Sequence, residues 1–171
     1  MMVAVAAQTV FVKVNGRADY TSSVDLKKLI NELWERGYSH FVFDLCQCQI
    51  MDSTFLGMLC GVALSFSNGN NPPDSERYLE LVNPNARLRE VLENLGVAHL
   101  FKIIDGAQPL TGRYEPLAKA QDCTRMELAR TCLEAHRTLM AVKPENAAKF
   151  KDVAQFLAED LKRLEVSDSA G

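Results

Sequence analysis

Strand and helix patterns alternate over residues 1–107 and predict an α/β fold: a mixed β-sheet with helices packed on it, followed by a C-terminal helical hairpin. Three observations carry this expectation. Phe41, Val42, Phe43 and Leu45 form a nearly continuous apolar run around Asp44, which suits a central strand buried on both faces. Directly downstream, Leu56, Leu59, Cys60, Ala63 and Phe66 fall at helical spacing. Beyond about Gln108 the alternation stops and two longer amphipathic patterns follow.

Taken in order, Val3 to Ala6 and Thr9 to Val14 read as the first strands, with Val10, Val12 and Val14 on one face of the second. Ser22 or Ser23 can cap a helix over Val24 to Arg36, whose apolar face is Leu26, Leu29, Ile30, Leu33 and Trp34 and whose stop is Gly37. The central strand follows, then a polar turn at Met51 to Thr54 and a helix starting at the hydroxyls, with Asp52, Ser53 or Thr54 as cap. Ser53 is therefore expected as an exposed hydroxyl where a strand hands over to a helix. Gly57 and Gly61, four apart on that helix, mark a close approach, expected against the sheet.

Ser67 to Ser75 is rich in turn formers and reads as a surface loop. Tyr78 to Val82 is the next strand. Asn83 is expected to cap a helix with Pro84 in its first position and a stripe of Leu88, Val91, Leu92 and Leu95. Leu100 to Ile104 closes the sheet, with Asp105-Gly106 as exit turn.

The division expected is therefore 1–107 for the sheet domain, 108–123 for a connector punctuated by Pro and Gly, and 124–171 for a helical hairpin and frayed tail. In the hairpin, Ala129, Leu133, His136 and Met140 line the first helix, and Phe150, Val153, Phe156, Leu157, Leu161 and Leu164 line the second. Lys143-Pro144-Glu145 makes the turn, and Glu165 to Gly171 is expected to fray. Such an apolar face has to be buried against the sheet domain, against itself or against another chain.

Composition narrows the function. The chain has 171 residues, a net charge of −3 and no basic tract, so it offers no surface for a nucleic acid backbone. No window is long and apolar enough to span a bilayer, and the apolar N-terminus lacks a positive leader segment. Five cysteines, an odd number without a CxxC pair, point to reduced thiols in the cytoplasm. Cys46 and Cys48 lie two apart and would share a side of a strand, but His40, His99 and His136 complete no convincing metal set. No nucleophile elbow, Walker loop or HExxH is present, so the expectation is a protein that is not an enzyme, with no cofactor and no metal.

Asp52-Ser53-Thr54-Phe55-Leu56-Gly57 resembles the Asp-Ser-Ser/Thr-Gly-Leu-Gly signature of the anti-sigma factor antagonists, bacterial members of the STAS domain family. Gly16-Arg17-Ala18-Asp19 sits where the family has Gly-Glu-Leu-Asp, and Leu100 to Ile104 resembles its closing strand, so the resemblance spans roughly residues 8 to 107. It implies a STAS-like sheet with helices largely on one face. It also implies an antagonist that, unphosphorylated, binds a serine kinase that sequesters a sigma factor, and that phosphorylation of Ser53 switches off. A phosphatase would be a further partner.

Each residue carries a plainer reading beside this one. Ser53 or Thr54 can be a helix cap worth about 1 kcal/mol. A phosphate at Ser53 would sit beside a helix N-terminus that tolerates an anion, while a docked partner would meet a dianion next to Asp52. Asp52 can orient the hydroxyl or cap the helix, and Asp19, the family's other acidic position, can be a turn residue. Thr54 is the weaker acceptor. Phe55 departs from the usual glycine and can pack under the turn or stand on a docking surface. The alternatives at the level of the whole chain are a STAS regulatory subunit of a membrane transporter and an oligomeric scaffold using the hairpin for homo-oligomer contacts.

Overall fold

The structure, a computed structural model, describes residues 1–68, 78–106, 113–119 and 123–169. Most of the loop read over Ser67–Ser75, and half of the connector read over 108–123, lie outside those residues.

The chain opens with β1 (Met2–Ala6) and β2 (Thr9–Lys13), an antiparallel hairpin whose tight turn holds Ala7 at φ 52°. There follow β3 (Gly16–Ala18), α1 (Tyr20–Glu35), β4 (His40–Asp44), β5 (Cys48–Met51) and α2 (Ser53–Asn68). After the loop come β6 (Tyr78–Val82), α3 (Ala86–Asn94), a 3-10 turn at Ala98–Leu100 and β7 (Lys102–Ile104). A short β8 (Glu115–Pro116) precedes α4 (Arg125–Val142) and α5 (Ala147–Ser169).

Six strands form a mixed sheet in the order β7-β6-β4-β2-β1-β8. β4 lies inside it, parallel to both β2 and β6, which is why its residues are apolar on both sides. Alternation then sorts the faces. Val10, Val12, Phe41, Phe43, Leu79 and Leu81 point to the helices and are fully buried. They meet Leu26 and Ile30 of α1, Leu56 and Leu59 of α2, and Leu88 and Leu92 of α3 in one core. At its edge the Trp34 and Phe66 rings lie 4.1 Å apart.

The opposite face carries a polar row. His40 Nδ1 is 3.1 Å from Thr9 Oγ1, its Nε2 is 3.4 Å from Glu80 Oε1, and Lys102 donates to Glu80 at 2.7 Å. Burial holds the His40 imidazole below its ordinary 6.5, the nearby Glu80 carboxylate opposing and Lys102 adding to the effect. Below that value the unfolded chain takes up a proton that the folded chain resists. Stability is therefore expected in full above pH 6.5 and lost as pH falls below it. Urea unfolding between about pH 5 and 7 should show that slope, and His40→Gln should flatten it.

Several element ends differ from the sequence expectation for local reasons. α1 starts at Tyr20 rather than Val24, because Asp19, not a serine, is its cap and Ser22 closes the capping box. Asn83 does not cap α3. It takes φ 53° and its side chain accepts from the Gly106 amide, and the cap is Asn85, which accepts from Leu88 N at 2.9 Å. The closing strand begins at Lys102, since Ala98–Leu100 forms the 3-10 turn. The small parallel pair β3–β5 was not expected at all. Cys46 is exposed in the turn before β5 whereas Cys48 is buried, so the two thiols do not share a side. Helix α5 continues to Ser169, through most of the tail expected to fray.

The hairpin turns its apolar side to its own chain. Ala129, Leu133, Ala135, His136 and Leu139 of α4 are buried, α4 lying across α2 and touching α1, with α5 packed on α4. Thr124 and Glu127 form a capping box at its start. At the hairpin turn, fully buried Asn146 donates to Leu95 O at 3.0 Å and Leu139 O at 2.9 Å, tying the turn to the end of α3. The stripe read on α5 is split: Phe150, Leu157, Leu161 and Leu164 are half-buried, whereas Val153 and Phe156 face outward, the latter 63% exposed.

Candidate functional site

Strand β5 delivers the chain to Asp52, which closes two helices at once. Its amide donates to Ala18 O at 2.9 Å and its carbonyl accepts the first bond of α2, from Leu56 N at 3.0 Å. Carboxylate Oδ1 accepts from Phe55 N at 2.8 Å, and so Asp52 is the N-cap of α2. Oδ2 accepts from Tyr20 N at 2.7 Å, an amide of the first turn of α1. One carboxylate thus satisfies orphan donors of both helices, and their N-termini converge on it.

Asp19 stands at the mouth of α1 in the same corner. It accepts from Thr21 Oγ1 at 2.7 Å, from Ser22 N at 3.2 Å and from Ser22 Oγ at 3.1 Å. Burial works to raise its pKa, but the bonds from Thr21 and Ser22 outweigh it and hold the carboxyl below its ordinary value. Two anionic caps, Asp19 and Asp52, therefore flank the turn that carries Ser53.

Ser53 occupies the first position of α2, with Asp52 rather than its own hydroxyl doing the capping. The hydroxyl is not exposed as expected: Ser53 is half-buried, and its Oγ lies 2.9 Å from His136 Nε2 on α4. His136 Nδ1 is 2.7 Å from Cys132 O, a pure acceptor, so Nδ1 carries the hydrogen. In the neutral ring Nε2 then accepts, and the Ser53 hydroxyl donates to it. His136 is only 6% exposed, with its ring 5.2 Å from that of Phe150.

The remaining motif residues point inward. Thr54 is buried and its side chain hydrogen-bonds the Cys132 thiol, which burial pushes up. Phe55 is 0% exposed and belongs to the core. Of the two fates open to it, the ring takes the underside of the turn and is not on a docking surface. Gly57 does mark a close approach, but to α4 and not to the sheet: a Cβ there would sit 2.4 Å from Ala135 O and 2.7 Å from its carbonyl carbon. Gly61 faces Thr138 at an ordinary 3.8 Å.

The structure thus brings Asp19, Asp52 and Ser53 to one corner and adds His136, read in the sequence only as one position of an apolar stripe. A polar ring in an otherwise apolar row was the sole signal for it. A cleft of about 280 Å³ between α1, α2 and α4 includes Lys27, Gly57 and Thr138 in its lining but none of Asp19, Asp52, Ser53, Thr54 and Phe55. Among the described residues no three His, Cys, Asp or Glu side chains are grouped to hold a metal ion, and no helix is long and apolar enough to cross a membrane.

Comparison with known proteins matches the first 108 residues to one family. A family model described as the STAS domain matches residues 1–108. TM1081 of Thermotoga maritima, described as a putative anti-sigma factor antagonist, is 22% identical in its crystal structure, with a TM-score of 0.52 over 60% of this chain and 84% of that one. Its NMR structure gives 23% identity and a TM-score of 0.51 over 60% and 78%. The anti-sigma factor antagonist SpoIIAA in its unphosphorylated form is 16% identical, with a TM-score of 0.50 over 63% and 88%. At these identities the likeness is one of fold. No curated protein sequence matches the chain.

Proposed function

The chain belongs to the STAS domain family, and we propose that it acts as an anti-sigma factor antagonist, with the Ser53 turn as a phosphorylation-controlled docking site. Unphosphorylated, the turn binds a serine kinase that also sequesters a sigma factor. The kinase transfers the γ-phosphoryl group of ATP to Ser53 Oγ, the hydroxyl proton is lost, ADP leaves, and binding ends. The chain's own residues supply the acceptor and its surroundings but no catalytic step.

The observation that carries this reading is the place of Ser53 at the N-terminus of α2 beside the capping carboxylate of Asp52. A phosphate there meets free helix N–H groups and the positive end of the dipole, so the fold survives it. A partner seated on the same corner meets a dianion next to Asp52 and Asp19 and is repelled. Modification therefore acts on association and spares folding. Thr54, buried under Cys132, is the poorer acceptor. The buried face of α4 lies against the chain's own α1 and α2, so the scaffold alternative would have to use the outward side of α5.

The test is a capture experiment from the native host's lysate with the unaltered chain, Ser53→Ala and Ser53→Asp as baits. A kinase held by the first two and lost by the third supports the switch. The same set of proteins on all three baits rejects it.

A further inference from the structure

We infer that the C-terminal hairpin is an intramolecular cover for the Ser53 turn, so that the chain as folded is a closed form in which α4 has to lift before Ser53 meets a kinase. This rests on the phosphoswitch reading and adds its regulation. Three contacts carry it. The Ser53 hydroxyl is engaged by His136 at 2.9 Å, and that ring is fixed in turn by Cys132 O at 2.7 Å. One turn along, α2 and α4 touch backbone to backbone, since only the absence of a side chain at Gly57 leaves room for Ala135 O. Between them, Thr54 lies under Cys132.

Phosphoryl transfer needs the donor phosphate in line with Oγ, and the His136 ring stands against that oxygen. A kinase also has to grip the chain around its target, and here the adjoining turn of α2 is covered by α4. The family match stops at residue 108, so the cover belongs to the part of this chain beyond it. The ion pairs Lys27–Glu134 and Lys28–Glu127 that join α1 to α4 are exposed and individually weak, so the buried face of α4 from Ala129 to Leu139 carries most of the attachment.

Accessibility of position 53 tests the cover without a kinase. Ser53→Cys places a thiol there, and exposed Cys46 in the same molecule serves as the reference. Both are followed with N-ethylmaleimide, site by site, through peptide masses. With the rest of the chain unaltered, position 53 should react at least about ten-fold more slowly than Cys46, because reaction waits on a local opening. Adding Gly57→Val forces α4 off α2 and should raise that rate about ten-fold or more while leaving Cys46 unchanged. His136→Ala, which adds no bulk, should shift it in the same direction. Labelling of position 53 within about two-fold of Cys46 in the Ser53→Cys chain would overturn the inference, whether or not the Gly57→Val protein folds. So would a slow rate that neither opening substitution changes. No nucleotide or partner enters the measurement, so the cover can fail while Ser53 is found phosphorylated, and can stand while it never is.

Discussion

Ser53→Asp is expected to lose at least about a hundredfold in affinity for the kinase partner that Ser53→Ala retains, which corresponds to about 3 kcal/mol. The fold should not be the cause of that loss. An aspartate in the first turn of a helix is favoured by the dipole, so circular dichroism should keep the helix content of the unaltered protein, although the bond from the hydroxyl to His136 is lost, as it is in Ser53→Ala. The loss instead comes from a third carboxylate beside Asp19 and Asp52, at a corner where two helix termini already draw the negative groups together. Ser53→Ala removes the hydrogen that His136 accepts, and with it part of what holds α4 down. It should therefore bind at least as well as the unaltered chain. Titration of the captured kinase against the purified variants measures both. Equal affinity for the two variants would separate the turn from binding altogether.

Phe55→Ala is expected to destabilise the protein by about 3–5 kcal/mol, although the family signature has a glycine here. The ring is fully buried among the largest side chains of the core, so truncation leaves a cavity. Replacing it by the family's glycine should cost roughly 1 kcal/mol more, since a glycine inside the first turn of α2 adds backbone entropy to the lost packing. Urea denaturation with an unchanged slope and a lowered midpoint would report this. A loss under about 1 kcal/mol would mean that the ring is not part of the core. The departure at Phe55 thus belongs to packing, and the proposed docking corner is left to Asp19, Asp52 and Ser53.

How much of this was legible before the structure depended on whether the deciding interaction was local. Strand β6 could be bounded at Tyr78 and Val82, and every residue of the α2 stripe is buried, but α2 also buries Phe55, Met58 and Val62, because α4 packs on it as well as the sheet domain. Cap positions were harder where the sequence offers several good candidates side by side. Asp19 competed with Ser22 and Ser23, and Asn83 with Asn85. The winner was decided by a partner from elsewhere: Gly106 drew the Asn83 side chain away. Strands β3 and β5 are three and four residues long, too short to show a period, and exist because they pair with each other. The site divided in the same way. Asp52 and Ser53 are adjacent in the chain and their roles at a helix start could be framed in advance. The contact between Ser53 and His136 spans 83 positions, and nothing near either residue announces it. The exposed hydroxyl that the sequence suggested is therefore the feature that the hairpin changes most.

The measurement that bears most directly on the central claim is phosphopeptide mapping of this protein purified from its native host. The account predicts phosphate on Ser53, in the peptide that carries Asp52 and Thr54, in some of the molecules. A Ser53 peptide that is unmodified in every growth condition sampled would contradict it and reduce that hydroxyl to a ligand of His136.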